Sequence, residues 1–175
     1  MSIILGYDPT TLREKVDLLA AGERLDELGG QRSSAAMNER VGLLRLVGRL
    51  DEAWDAANAA LRQARMSGDR EQLCLARIRR AWVQVYRGKP VPAVIELTSC
   101  TTEARDHDWT GAEALALQVR GIAYFDQAEY QAALTDFRTA ATIRVSSGAP
   151  ADDVESSMMA ITIAESYVAE PRRPH

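Results

Sequence analysis

The segment that decides the fold is Leu117-Gln-Val-Arg-Gly121-Ile-Ala-Tyr124-Phe-Asp-Gln-Ala-Glu-Tyr-Gln-Ala-Ala133-Leu-Thr-Asp-Phe137-Arg-Thr-Ala140. Each half of it has a small residue followed by an aromatic one: Gly121 with Tyr124, and Ala133 with Phe137. Small side chains let two antiparallel helices approach closely, and aromatic rings fill the space beside the contact. The segment therefore predicts two antiparallel helices joined by a short turn.

The same pattern recurs at a constant spacing along the chain. The segment Gly48–Ala53 aligns with Gly88–Ala93 and with Ala128–Ala133, and each step is 40 residues. Two further positions keep this phase, one holding Arg40, Arg80 and Arg120 and the other Ala60, Cys100 and Ala140. A repeat of this kind is typical of helical arrays in which stacked units bury a continuous core.

The segment from Leu117 to Ala140 resembles the tetratricopeptide repeat, whose signature spaces a large apolar residue, Gly, Tyr, Ala, an aromatic residue and Ala in this way. The resemblance covers roughly residues 33 to 169. The usual tetratricopeptide period is about 34 residues, and the longer period is similar to that of regulatory domains of bacterial transcription activators, peptide-sensing regulators and kinesin light chains. The resemblance implies an all-α fold, a right-handed α-solenoid of antiparallel helix pairs with about seven helices.

Periodicity and helix-breaking residues divide the single domain of residues 1–175 into repeats. An N-terminal half-repeat helix is predicted within 10–30, beginning at Thr10 or Thr11 with Glu14 as capping-box partner and ending at Gly29-Gly30. The predicted repeats are residues 33–68, 69–108 and 109–148. A C-terminal half-repeat helix is predicted at 151–169, followed by a tail at 170–175.

Composition and charge argue against several function classes. A net charge of −4 does not provide the basic surface that binds nucleic acid. No apolar run reaches the length of about 18 residues that a membrane span needs. The N-terminus lacks the basic leader of a signal peptide, and Cys74 and Cys100 form no metal or redox motif, so we expect a cytoplasmic protein.

Catalytic motifs are also missing from the sequence. It has neither a glycine-rich phosphate loop nor an HExxH sequence. His107 lies between Asp106 and Asp108 in a predicted joint, where adjacent side chains rarely converge on one metal ion. We therefore expect no catalytic residue, no metal and no cofactor, and a protein that is not an enzyme.

In an array of this family, the first helix of each pair lines the concave side. The register places there a set of residues that is apolar in the middle and polar at the ends: Asn38, Arg45, Leu75, Ile78, Trp82, Val85, Tyr86, Gln118, Ile122, Phe125 and Met158. One interpretation is that the aromatic members are ordinary packing residues. The other is a groove for a peptide or helix, because apolar surface costs roughly 25 cal/mol per Å² to leave in water. This second interpretation predicts a non-enzymatic module that binds a protein or peptide partner as an adaptor or regulatory component.

The last predicted helix has apolar residues on more than one side: Met158, Met159, Ile161, Ile163, Tyr167 and Val168. No second helix would cover them. We therefore expect this helix to pair with a second copy of the chain, or with the N-terminal segment Ile3-Ile4-Leu5, in a homodimer. The alternative function is accordingly a structural, homo-oligomerising protein whose groove or terminal helix is filled by its own copy.

The repeated arginines Arg40, Arg80 and Arg120 lie where tetratricopeptide repeats usually have Leu. A buried guanidinium must be paired, because an unpaired buried charge costs several kcal/mol. One interpretation is a set of salt bridges or partly exposed side chains, and the other is binding of an anion or an acidic peptide. The candidate partners are acidic residues on neighbouring helices: Asp17, Asp55, Glu96 and Asp136.

Overall fold

The computed structural model describes residues 3–169. A short antiparallel β-hairpin, with strands β1 (Ile4–Tyr7) and β2 (Glu14–Val16), precedes the helical array. The helices are α1 (Leu18–Leu28), α2 (Ser34–Leu46), α3 (Leu50–Ser67), α4 (Arg70–Tyr86), α5 (Pro90–Asp106), α6 (Thr110–Asp126), α7 (Tyr130–Ser146) and α8 (Ala151–Ala169). The predicted tail at 170–175 lies outside the described residues.

Each helix packs against the next one along the chain, as in an α-solenoid. Helix α4 also contacts α2 and α6, whereas α3, α5 and α7 contact one another little or not at all. Helices α2, α4 and α6 therefore lie on the same side of the array, which we call the inner side. The helical architecture of the prediction is confirmed. The described residues contain eight helices, whereas about seven were predicted. The predicted boundaries agree with the structure on this point, because three repeats of two helices and two half-repeat helices also make eight.

Each repeat contains two joints, 20 residues apart, and a helix ends at each joint. The backbone adopts a positive φ at Gly48, Gly88 and Ala128, and again at Gly68, Asp108 and Gly148. In the joint after α6, the Ala128 amide donates to the Phe125 carbonyl and the Glu129 amide to the Tyr124 carbonyl. These left-handed residues satisfy the last carbonyls of the preceding helix. The 40-residue period of the sequence is thus also a period of the backbone conformation.

The close helix contact predicted around Gly121 is present. A Cβ atom added at Gly121 would lie 2.4 Å from Cε1 of Phe137. Phe137 and Ala133 are fully buried, and both belong to the largest core cluster. That cluster joins α4 to α8, and two smaller clusters connect the N-terminal helices.

The structure differs from the prediction at the N-terminus, where a helix was expected from residue 10. Asp8 forms a turn instead, because its Oδ1 accepts hydrogen bonds from the amides of Thr10 and Thr11 at 2.8 and 3.0 Å. Glu14 lies in β2 and is not a capping partner. Helix α1 begins at Leu18, and its N-cap is Asp17, which accepts from the amides of Leu19 and Ala20.

Candidate functional site

The N-terminal hairpin lies across the inner side of the array. Its polar side chains contact four helices: Glu14 binds Arg45 of α2 and Tyr86 of α4, Arg13 binds Asp126 of α6, and Tyr7 binds Ser156 of α8. Every even-numbered helix therefore contributes one partner. The inner surface of this protein is occupied, and its occupant is a segment of the same chain.

Glu14 and Arg45 form the centre of this contact. The Arg45 Nη1 and Nη2 atoms donate to the two carboxylate oxygens of Glu14 at 3.2 and 3.1 Å. The Arg45 and Glu14 side chains are only 5% and 4% exposed. A two-point guanidinium–carboxylate contact is stronger and more directional than a single hydrogen bond. The pair is a buried salt bridge that fixes β2 against α2.

Aromatic rings surround this ion pair. The Arg45 guanidinium lies 3.9 Å from the centre of the Trp82 ring and 4.5 Å from that of Tyr86, within range of cation–π attraction. The Tyr86 hydroxyl donates to Glu14. Burial raises the pKa of Glu14, but the charge of Arg45 and the hydrogen bonds from Arg45 and Tyr86 outweigh it, so this pKa lies below its ordinary value. Glu14 is accordingly an anion at neutral pH.

Leu12 provides the apolar part of the hairpin contact. It is only 2% exposed and belongs to the largest core cluster, although it lies in the turn of the hairpin with a positive φ of 54°. Tyr7 and Trp82 pack against the same cluster. A strained backbone conformation at a non-glycine residue persists where the surrounding contacts require it. The hairpin therefore inserts an apolar side chain between the helices in addition to its polar contacts.

Most of the residues predicted to line the concave groove belong to one of two groups. Ile78, Val85, Ile122 and Phe125 are buried in the core, and Phe125 makes edge-to-face contacts with Tyr130 and Tyr167. Another group lies at or near the hairpin and the cavity of about 480 Å³ beneath it: Arg45, Trp82, Tyr86 and Gln118. Sequence periodicity could not separate the groups, because both follow the same helical register.

Three further groove residues lie elsewhere. Leu75 is half-buried against the largest core cluster. Asn38 lines a second, smaller cavity of about 130 Å³ between α2, α3 and α4. Met158 is 51% exposed on α8 and does not line the cavity beneath the hairpin.

The residues predicted to form an oligomer interface on α8 also divide by burial. Ile163 is buried, Tyr167 packs against Phe125, and Ile161 is half-buried against the core. The exposed members are Met158, Met159 and Val168. Helix α8 therefore uses one face to close the core and leaves a few apolar side chains exposed, of which Met159 lines the cavity beneath the hairpin.

Two of the three repeated arginines, Arg80 and Arg120, pair within their own repeats. Arg120 makes a two-point contact with Asp136 at 2.7 and 2.8 Å, and Arg80 lies 3.9 Å from Glu96. Arg40 Nη2 is buried and has no hydrogen-bond partner among residues 3–169. Of the candidate partners, Glu96 and Asp136 are thus found in ion pairs between the two helices of one repeat. These contacts hold α4 to α5 and α6 to α7.

A cavity of about 480 Å³ lies between the hairpin and the inner faces of α6 and α8. Apolar and aromatic residues form much of its wall, and Arg144 and Gln118 lie among its polar residues.

Sequence reasoning missed Tyr7, Leu12 and Arg13 as site residues. The apolar run Ile3-Ile4-Leu5, followed by Asp8-Pro9, was the available signal for a strand and a turn.

Comparison with known proteins gave no relative: no family model matches this chain, and no curated protein matches it significantly. Among residues 3–169, no helix has the length and apolar character needed to cross a membrane. The candidate site is therefore described by its own geometry alone.

Proposed function

We propose that this protein is a non-enzymatic module of the tetratricopeptide type that binds a segment of a protein partner on its inner surface, as an adaptor or regulatory component. The single observation that carries the proposal is that this surface already holds a segment of its own chain by contacts to all four even-numbered helices. A surface that binds one strand–turn–strand segment through ion pairs, aromatic rings and an apolar anchor has the means to bind another of similar chemistry.

The hairpin is an intramolecular competitor under this proposal. A tethered segment has an effective concentration in the millimolar range for a short linker. A partner must therefore bind more tightly than the hairpin or follow its release. Its segment would carry an acidic residue in place of Glu14 and an apolar residue in place of Leu12, since these meet Arg45 and the core.

The test uses a fluorescein-labelled peptide of residues 3–17 and the full-length protein. In the variant Glu14→Ala, the tethered hairpin loses its central contact, and the free peptide supplies the missing carboxylate. We expect this variant to bind the peptide at least about tenfold more tightly than wild type, measured by fluorescence anisotropy, because the intramolecular competitor is weakened.

Two controls make this result specific. A peptide carrying Glu14→Ala should bind the same variant at least about tenfold more weakly than the natural peptide, because it leaves Arg45 unpaired. Circular dichroism establishes that the variant keeps its helices. Absence of peptide binding by a folded Glu14→Ala variant would contradict the proposal.

The alternative function is a structural protein that forms oligomers. It is favoured by the exposed apolar side chains Met158, Met159 and Val168 on α8. In that case light scattering gives a dimer mass for wild type at micromolar concentrations, and a monomer mass when these three residues are replaced by serine. A monomer mass for wild type contradicts this alternative and leaves the segment-binding proposal unaffected.

A further inference from the structure

Arg144, near the end of α7, is a buried cation without an anionic partner. It is 7% exposed, and its Nη1 atom donates to the Asp153 carbonyl at 2.8 Å and to Ser157 Oγ at 2.7 Å. Gln118 Oε1 lies at 3.4 Å. All three acceptors are neutral. No carboxylate of residues 3–169 lies within salt-bridge distance of the Arg144 guanidinium. The Arg45 guanidinium, in contrast, is paired with Glu14.

A charge in this position is costly unless something compensates it. Taking a guanidinium out of water carries a penalty that neutral hydrogen bonds offset only in part. Burial accordingly lowers the pKa of Arg144, and the nearby charge of Asp153 opposes this effect. The neutral contacts use Nη1 alone, so the Nε and Nη2 atoms donate to no acceptor in the described part of the chain. Neither atom is among the fully buried side-chain atoms of the described residues that lack a hydrogen-bond partner. Both therefore keep some exposed surface.

Arg144 lies at the wall of the cavity beneath the hairpin, where a ligand could reach these donors. The cavity has a volume of about 480 Å³, within the range of about 300–1,000 Å³ typical of small-molecule sites. Its apolar wall comes from several elements of the fold: Ile4 and Tyr7 of β1, Trp82 of α4, Leu115 and Ile122 of α6, and Met159 of α8. The cavity thus combines an apolar wall with one uncompensated cation.

The first turns of α8 add the opposite charge. Asp152, Asp153 and Glu155 line the same cavity, and all three residues are exposed. None of them makes an ion pair among residues 3–169. Glu14 and Arg45, which also line the cavity, neutralise each other. A ligand in this cavity therefore meets one buried cationic residue and three exposed acidic residues. Asp153 also accepts a hydrogen bond from Arg144 through its backbone carbonyl.

We propose that this cavity binds an apolar α-amino acid, with its carboxylate on Arg144, its amine on the carboxylates of Asp152, Asp153 and Glu155, and its side chain against the apolar wall. A simple anion would bind Arg144 but meet repulsion from the acidic residues, and a simple amine would leave Arg144 uncompensated. An α-amino acid carries a carboxylate and an ammonium group on the same carbon atom, so it satisfies both. The hairpin forms part of the cavity wall, so the amino acid binds the protein with its hairpin in place. Its binding does not require the partner binding proposed above.

The first test uses wild-type protein and three related probes in isothermal titration calorimetry. L-leucine has the carboxylate and the amine, L-leucinamide lacks the carboxylate, and 4-methylpentanoate lacks the amine. We expect L-leucine to bind and each analogue to bind at least about tenfold more weakly, because each loses one charge-assisted interaction. L-leucinamide binding as tightly as L-leucine would overturn the proposal. So would no detectable binding of L-leucine, L-phenylalanine or L-methionine up to about 10 mM.

The second test locates the site with a matched pair of variants on α7. Arg144→Gln removes the buried cation, whereas Arg138→Gln removes an exposed arginine of the same helix, paired with Glu165. We expect the first variant to lose L-leucine affinity by at least about tenfold and the second to keep it. Unchanged binding by an Arg144→Gln protein with native circular dichroism would overturn the assignment. If that variant does not fold, the probe series on wild type decides alone.

Discussion

At the scale of single residues, Gly121 permits a close helix contact that any larger side chain would obstruct. The position of its missing Cβ lies 2.4 Å from a ring carbon of Phe137, so the two helices of the third repeat contact each other directly there. We expect Gly121→Ala to lower the free energy of unfolding by about 1–3 kcal/mol, because the added methyl group overpacks the core.

Gly42 is the matched control for this substitution, and urea denaturation measures both. It lies inside α2, and apart from its chain neighbours and the nearby backbone of its own helix, no atom lies within 4 Å of the position that an added methyl group would take. Gly42→Ala should therefore stabilise the protein by up to about 1 kcal/mol, through its better helix propensity. A Gly121→Ala protein as stable as wild type would mean that α6 and α7 separate without cost.

The residues of the candidate site were harder to infer than those of the core. Spacing within the third repeat identified Gly121, Ala133 and Phe137, because small residues next to aromatic ones are typical of a close contact between two antiparallel helices. It also pointed to Trp82 and Tyr86 on the inner side. Glu14 was missed, because its role depends on Arg45 and Tyr86, which lie 31 and 72 positions away in sequence. Local patterns do not report such contacts.

At the scale of elements, the joints between helices repeat every 20 residues, but not every joint has the residue best suited to it. Ala128 adopts a φ of 60° in a position where the corresponding joints have Gly48 and Gly88. The left-handed conformation costs an L-residue roughly 1–2 kcal/mol, and glycine avoids this penalty. We expect Ala128→Gly to raise the free energy of unfolding by about 1 kcal/mol. The gain stays this small because glycine also increases the conformational entropy of the unfolded chain.

The control for this joint is the same substitution inside a helix. Ala59 lies within α3, so Ala59→Gly should lower the free energy of unfolding by about 1 kcal/mol. Thermal unfolding followed by circular dichroism measures both variants. Equal destabilisation by the two substitutions would show that the joint gains nothing from glycine.

The N-terminal hairpin is the element that sequence patterns assigned incorrectly. Thr10, Thr11 and Glu14 have the spacing of a capping box, but Asp8 holds the amides of Thr10 and Thr11 in a turn. The decisive contacts are long-range: Arg13 reaches a residue 113 positions away, and Tyr7 one that is 149 positions away. The repeats could be predicted because their contacts recur within each unit, and the hairpin could not because its contacts do not.

At the scale of the whole molecule, the hairpin connects helices that the repeat architecture alone would leave to nearest-neighbour contacts. In a solenoid, each unit is stabilised by its neighbours only. Here one segment binds α2, α4, α6 and α8 together. Removing one partner of a buried ion pair costs about 3–5 kcal/mol, because the other charge is left buried and unpaired. Loss of Glu14 alone should therefore weaken the contact between the hairpin and α2.

This arrangement predicts a specific dependence of stability on pH. The folded-state pKa of Glu14 lies below its value in the unfolded chain, because Arg45 and Tyr86 stabilise the carboxylate more than burial disfavours it. The contribution of Glu14 is therefore complete above its unfolded pKa, about 4.5, and is lost as the pH falls through the lower folded pKa. A glutamine at position 14 has no charge to lose.

We accordingly expect the melting temperature of Glu14→Gln to lie well below that of wild type at pH 7, and the difference to narrow steadily as the pH is lowered below about 4.5. Glu52→Gln is the control, because Glu52 pairs with Arg49 at the surface, and exposed pairs contribute little. Its melting temperature should follow that of wild type at every pH. A Glu14→Gln difference that stays constant with pH would mean that the carboxylate charge does not hold the hairpin against the helices.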